Sequence, residues 1–349
     1  VIGGWVIKYL VEYVKGNGHA LSSDGYFSTF ISNGVSTELC FIAFALLTLF
    51  IVFAGVKNGI ERVSKIMMPI LVVLSCVITV YSVTRPGALE GVKYFLVPNF
   101  KNFSWMTVVT AMGQMFYSLS IAMGILITFG SYTEKEVSIE NSTENVEVFD
   151  TAIAIMAGLM IIPAVFAFSN GNMENLNAGP SLMFITIPKV FDSMGLGTLI
   201  GILFFILVLF AALTSSIALT ECAVSTFQDE LGWSRHKSVI ILGFIMLVLG
   251  SLSSLGYGPL ASIQIIGMQF LDFFDFLTNS VMMPISATCV CLLVSKVIGV
   301  DKIAKEVKSH NNPFKREKIF NFMIKYICPI FAAIILLSSV ANAFGIIKM

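Results

Sequence analysis

The chain has 349 residues, 56% of them hydrophobic and only 12% charged, with a mean hydropathy of +0.89. A soluble domain carries about 25% charged residues, so a water-facing globule is excluded, as are disordered and collagen-like chains. Lys+Arg and Asp+Glu each total 21, which leaves no basic field for a nucleic acid.

About 20 apolar residues in a helix cross the hydrocarbon core of a bilayer. Lipid offers no partner to an open backbone, and the apolar runs here are too long for barrel strands, so every span is expected to be helical. In chain order, residues 1–13 are apolar but too short to cross. They are expected to be the end of a span that begins upstream. Eight full spans follow, at 39–56, 66–84, 105–133, 149–169, 196–226, 238–254, 274–298 and 319–347. Together they make one transmembrane domain, 1–349.

Lys8, Lys15, Arg85, Lys93, Lys101, Lys189 and Lys348 fall on one side of these spans and the other fourteen Lys and Arg on the opposite side. The basic side is expected to be cytoplasmic and the C-terminus outside. The stretch from Glu134 to Glu147 adds little to this assignment, being acidic with only Lys135. The six cysteines lie in or beside apolar runs without a CxxC pair and read as small core residues, with Cys289 and Cys291 on different sides of a helix. His19, His236 and His310 lie among polar residues, so catalysis within the membrane has no histidine base.

Polar residues and helix breakers at membrane depth call for a reason, and transport pathways supply the commonest. Four places show them. Residues 113–124 carry Gly113, Gln114, Ser118, Ser120 and Gly124, which either open the helix toward a cation or leave it intact with serines bonded to the preceding turn. The run Ala211 to Ser216 offers three consecutive hydroxyls, suited to a weakly held monovalent ion or to close helix packing. Glu221, two turns on, is either at the cytoplasmic interface or buried with a partner. Asp150 opens its span as a ligand or as a helix N-terminal charge. Asp275, in Asp272-Phe273-Phe274-Asp275, is a gate residue or a helix N-terminal charge.

A set of segments in order along the chain gives a family resemblance. They are Gly4-Trp5, Gly59-Ile60-Glu61-Arg62 with Lys65 and Pro69, Gly113-Gln114 through Ser120, and Gly179 through Phe184 with Pro188. Leu213-Thr214-Ser215-Ser216, Asp229-Glu230-Leu231 and Asp272 through Phe276 complete the set. The chain resembles bacterial neurotransmitter:sodium symporters of the eleven-span subgroup along essentially its whole length.

The resemblance implies an all-α integral membrane protein with the inverted-repeat, leucine-transporter type of sodium-symporter fold, whose discontinuous helices bind substrate near the midplane. Residues 1–13 then correspond to the third family span and the others to the fourth to eleventh. The first two spans and the start of the third are expected to be missing, and with them half of each ion site, so the chain alone is expected to be inactive.

The implied function is sodium-coupled import of a neutral, bulky amino acid, aliphatic or aromatic, by alternating access. Two sodium ions are expected in the full-length protein. Ser118 and Asp150 match the first sodium site, and Ala211 (through its carbonyl), Thr214 and Ser215 the second. Asp150 stands where many members have Asn, which implies that no chloride is needed. Ile2, Tyr117, Ser118, Ser120, Met123, Ser215 and Leu219 would line the substrate pocket. Tyr117 would be its lid, Asp275 part of the outer gate and Asp229 of the cytoplasmic gate. Gly59 and Pro69 bracket a segment that unwinds in some members, or Pro69 simply starts a helix. The expected setting is the bacterial cytoplasmic membrane, with the lipid bilayer and the amino acid as partners and no obligate protein partner. The alternative on the same scaffold is a channel or nontransporting receptor.

Overall fold

The computed structural model describes residues 1–169, 179–309 and 313–343. His310, Lys348 and the last four residues of the span expected at 319–347 lie outside them. The regular secondary structure of the described residues is helical, apart from one isolated bridge between Ile265 and Met268. In chain order the helices are α1 (Ile2–Val14), α2 (Gly18–Leu21), α3 (Tyr26–Ser32), α4 (Gly34–Phe53), α5 (Arg62–Val83), α6 (Ala88–Leu96), α7 (Trp105–Ser118), α8 (Ile125–Ser131) and α9 (Ile139–Ser169). They continue with α10 (Ile187–Asp192), α11 (Gly197–Leu231), α12 (Arg235–Leu255), α13 (Phe270–Asp275), α14 (Met283–Leu292), α15 (Val300–Val307), α16 (Glu317–Phe322) and α17 (Cys328–Ala343).

Seven continuous helical segments among the described residues are long and apolar enough to cross a membrane: 34–53, 56–83, 139–169, 197–231, 235–255, 270–298 and 317–343. The span expected at 105–133 is split between α7 and α8. Several helices outrun the apolar stretch that marks them, because backbone hydrogen bonding continues past the membrane where polar side chains stay solvated. Short polar caps set their starts. The Asn33 side chain accepts the Ser36 N–H at the head of α4, and Ser104 and Thr107 form a reciprocal cap on α7.

Pro69 does not start a helix. It lies inside α5, which begins at Arg62 after a π-helical segment, Val56–Glu61. A side chain at Gly59 in that segment would meet the Ile51 carbonyl at 2.2 Å, so the close return of the chain onto α4 requires glycine there. The cysteines are a partial correction. Cys291 is buried, but Cys76 and Cys289 are exposed, since a weakly polar thiol on a spanning helix meets lipid at little cost.

The chain divides into two compact units, residues 1–98 with 152–271, and residues 99–151 with 272–349. The first is built on aromatic packing. Trp5, Tyr9 and Tyr13 of α1 meet Phe184 and the α11 residues Phe204 and Phe205, all nearly inaccessible, and Tyr9 donates to the Phe184 carbonyl at 2.8 Å. Small residues let the helices close up. A side chain at Gly4 would strike the α4 backbone at Phe41, 2.7 Å away. On the surface of this unit α10 is tied back by Lys189 to Asp24 and by His19 and Ser22 to Asp192. The Lys189 ammonium holds the Asp24 carboxyl below the usual carboxylate range. In the second unit Phe116 of α7, Met283 and Ala287 of α14, and Ala332 and Ile335 of α17 form the core.

Candidate functional site

In the second unit α7 ends at Ser118 and helical structure resumes only at Ile125. The Ser120 N–H bonds to the Tyr117 carbonyl and the Ile121 N–H to the Phe116 carbonyl, the paired return bonds that close a helix on a left-handed residue. That residue is normally glycine. Here it is Ser120, with φ of 53°, followed by Ala122 at 64° and Gly124 at 78°. Each non-glycine residue in this region costs about 1–2 kcal/mol, so the interruption is strained. An apolar cavity of about 330 Å³ borders it, with Met112, Phe116, Ser120, Ala287 and Cys291 among its walls. Of the other residues expected around the substrate, Tyr117 is 51% exposed and Met123 is half-buried.

Asp150 does not start a helix. It lies about three turns inside α9, which begins at Ile139, so the role of helix N-terminal charge falls away. The Ser118 hydroxyl donates to Asp150 Oδ1 at 2.7 Å. The last residue of the broken helix and a carboxylate on a continuous one therefore meet directly. Asp275 closes α13 beyond its first turn, is exposed, and accepts from Asn279 Nδ2 at 2.7 Å.

In the first unit the three consecutive hydroxyls of α11, Thr214 to Ser216, divide their work. Thr214 Oγ1 donates to the carbonyls of Phe210 and Ala211, both at 3.0 Å, and Ser215 Oγ to the Ala211 carbonyl at 3.1 Å. Ser216 turns to α4 and meets Thr48 Oγ1 at 3.1 Å. Ala211, Thr214 and Ser215 thus gather on one turn, and Ser216 serves packing. A hydroxyl whose proton is given to a backbone carbonyl keeps its lone pairs for a cation. Among the described residues no group of three or more His, Cys, Asp or Glu could hold a metal ion. Ile2 is 41% exposed and Leu219 50%. Asp229 is exposed near the end of α11, with Ser225 Oγ at 3.4 Å.

Glu221 takes the second of its two expected alternatives, buried with a partner, and the partners of three carboxylates had no place in the sequence reading. Glu221 is fully buried and held in a fork by Arg235, with Nη1 to Oε1 at 2.9 Å and Nη2 to Oε2 at 2.6 Å, while Arg235 Nη2 also donates to the Val52 carbonyl at 2.7 Å. Glu38, one residue ahead of an apolar run, accepts from Ser251 across α4 and α12. Glu140 accepts the backbone N–H groups of Lys315 and Arg316 at 3.0 Å each. The one signal available for the first was a carboxylate two turns past the hydroxyl run. Its partner, counted only as a loop cation, was not legible.

Long apolar helices, a strained interruption in one of the expected spans and hydroxyl-rich turns at membrane depth fit a membrane transporter. Comparisons with known proteins agree. Residues 10–346 match the profile of the Sodium:neurotransmitter symporter family. YhdH of Bacillus subtilis (strain 168), described as an uncharacterized sodium-dependent transporter, is 34% identical over 352 residues, covering 100% of this chain and 76% of its own. An uncharacterized sodium-dependent transporter of Haemophilus influenzae (strain ATCC 51907 / DSM 11121 / KW20 / Rd) is 30% identical over 348 residues, covering 97% and 75%. The crystal structure of MhsT in complex with L-phenylalanine superimposes with a TM-score of 0.83 at 36% identity, covering 97% of this chain and 76% of that one. The chain belongs to the sodium:neurotransmitter symporter family. It is a sodium-dependent symporter rather than an enzyme, and its fold is the inverted-repeat sodium-symporter fold.

Proposed function

We propose that the protein imports a neutral, bulky amino acid together with two sodium ions, by alternating access and without chloride. The observation that carries this reading is the hydrogen bond from Ser118 to Asp150. A fixed carboxylate beside the first cation supplies the negative charge that an anion would otherwise bring, and the Ser118 oxygen is shared between ion and substrate. Ala211 O, Thr214 and Ser215 hold the second ion with neutral oxygens. Tyr117, Ser118, Ser120 and Met123 of the second unit contact the substrate. None of them is charged, so the carboxylate and ammonium of the amino acid are bound by ion and backbone while its side chain meets apolar groups. L-Phenylalanine, the ligand of the related MhsT crystal, is the first candidate.

Tyr117 covers the substrate, and Asp275 and Asp229 act at the outer and cytoplasmic gates. The protein works in a bacterial cytoplasmic membrane with its C-terminus outside. Inward movement of each sodium charge gains about 2.3 kcal/mol per 100 mV.

The test is uptake of labelled L-phenylalanine and L-leucine into proteoliposomes by the full-length protein. Uptake is expected to saturate, to vanish when choline replaces sodium, and to persist when gluconate replaces chloride. Asp150→Asn removes a charge-assisted ligand worth about 1.5–3 kcal/mol. It is expected to raise the half-saturating sodium concentration by roughly ten- to a hundredfold and to make uptake respond to chloride. Current without saturable uptake would instead identify a channel.

A further inference from the structure

The acidic stretch 134–147 weakened the charge-based orientation and has no place in the substrate and ion sites. Its second half is helical. Glu140, Glu144 and Glu147 lie in the first turns of α9 at i, i+4 and i+7, so they form one stripe on the helix. All three are spent on the same two residues. Glu140, only 8% exposed, accepts the backbone N–H of Lys315 and of Arg316, at the point where the span 317–343 begins. The Arg316 guanidinium reaches Glu144 at 3.3 Å and Glu147 at 3.1 Å.

Asp150 follows Glu147 by three residues on the same continuous helix, about 15 Å along the axis from Glu140. Helix α9 is therefore pinned at two points within the second unit. At one, Asp150 meets Ser118 of α7. At the other, the glutamates grip the head of the segment that continues into α17. That segment returns to α7, since Ala332 and Ile335 pack in one core with Phe116, two residues from Ser118. Further along α9, Met160, Ala164 and Val165 are packed in the core of the first unit, so what these two contacts set is the lean of its first three turns, where Asp150 sits.

We propose that Glu140 and Arg316, with Glu144 and Glu147, are positioning residues for sodium, bracing α9 so that Asp150 stays in reach of Ser118. This rests on the reading of Asp150 as a sodium ligand. The half-exposed pairs of Arg316 are open to screening by salt, whereas the buried bonds of Glu140 are not.

The experiment is a sodium titration of thermal unfolding for the full-length protein in detergent, with ionic strength held constant by N-methyl-D-glucamine. The unfolding temperature rises with occupancy of the site, so its midpoint reports affinity without reference to any substrate. Glu140→Gln and Arg316→Gln are expected to raise the half-saturating sodium concentration about fivefold, equivalent to about 1 kcal/mol, and Arg316→Lys to raise it less. A lower sodium-free unfolding temperature with an unchanged half-saturation would make the cluster merely structural and overturn the proposal. Should Glu140→Gln not fold, Glu147→Gln and the Arg316 variants, at exposed positions, carry the same test. Asp150→Asn separates the two levels. If it weakens sodium and the brace variants do not, the brace alone is wrong. If it leaves sodium binding unchanged, the ion-site reading falls as well.

Discussion

The turn Ala211–Ser215 and the break Leu119–Gly124 present oxygens by opposite means. On α11 no backbone bond is given up. Thr214 and Ser215 pass their protons to carbonyls of the preceding turn, and the helix runs unbroken for 35 residues. At the end of α7 the helix is interrupted, Ser120 and Ala122 are held in the left-handed region, and the charge comes from a neighbouring helix through Asp150. The neutral arrangement needs no strain because hydroxyls are added on top of a satisfied ladder. The charged one combines a carboxylate with a strained backbone, at about 1–3 kcal/mol for each distorted residue. An unstrained ladder and a strained break thus fall on different helices.

The largest effect that tests this contrast is on the unbroken helix. Glu221→Ala leaves Arg235 without its carboxylate in a largely buried place, and breaking such a pair costs about 3–5 kcal/mol. A corresponding fall in thermal stability in detergent is expected. A loss below about 1 kcal/mol, typical of an exposed pair, would mean that α11 does not depend on this fork. Next in size are the hydroxyls themselves. Thr214→Val keeps the shape and removes an oxygen worth about 0.5–1.5 kcal/mol, so half-saturating sodium is expected to rise about three- to tenfold with little change in stability. Ser216→Ala is expected to do the reverse, since its hydroxyl meets Thr48 on α4. Equal effects of the two on sodium would erase the distinction between ligand and packing hydroxyls.

Much of this architecture is legible in the sequence because bilayer thickness converts directly into residue count. Seven of the apolar runs coincide with helical segments long enough to cross a membrane, and the eighth, 105–133, is split. The cluster of Gly, Ser and Gln between Gly113 and Gly124 marks the place where α7 stops and α8 begins. Charge is a poorer guide beyond the membrane. The first turns of α9 are acidic and helical at once, so a count of apolar residues starts that helix too late and turns Asp150 into an apparent N-terminal residue. The spacing of Glu140, Glu144 and Glu147 was the available helical signal. Partner choice is harder still. Nothing local joins Arg235 to Glu221 or Glu140 to the backbone of Lys315, because those bonds are set by how distant segments pack. The division of labour among Thr214, Ser215 and Ser216 likewise depends on which face of α11 meets α4.

The smallest effect is the most direct comparison of the two backbones, since one chemical change should have opposite consequences in them. Ala212→Gly in the unbroken turn of α11 exchanges the best helix former for one about 1 kcal/mol worse, and stability is expected to drop by about that amount. Ala122→Gly, at φ of 64°, relieves a left-handed penalty of about 1–2 kcal/mol against an entropic cost of about 0.5–1 kcal/mol. It is expected to leave stability unchanged or raise it by up to about 1 kcal/mol. Paired thermal unfolding of the two variants reads the difference in sign, which is insensitive to errors common to both. If Ala122→Gly destabilised as much as Ala212→Gly, residue 122 would be helical in the working protein. The break would then end sooner, and the strain assigned to it would be absent.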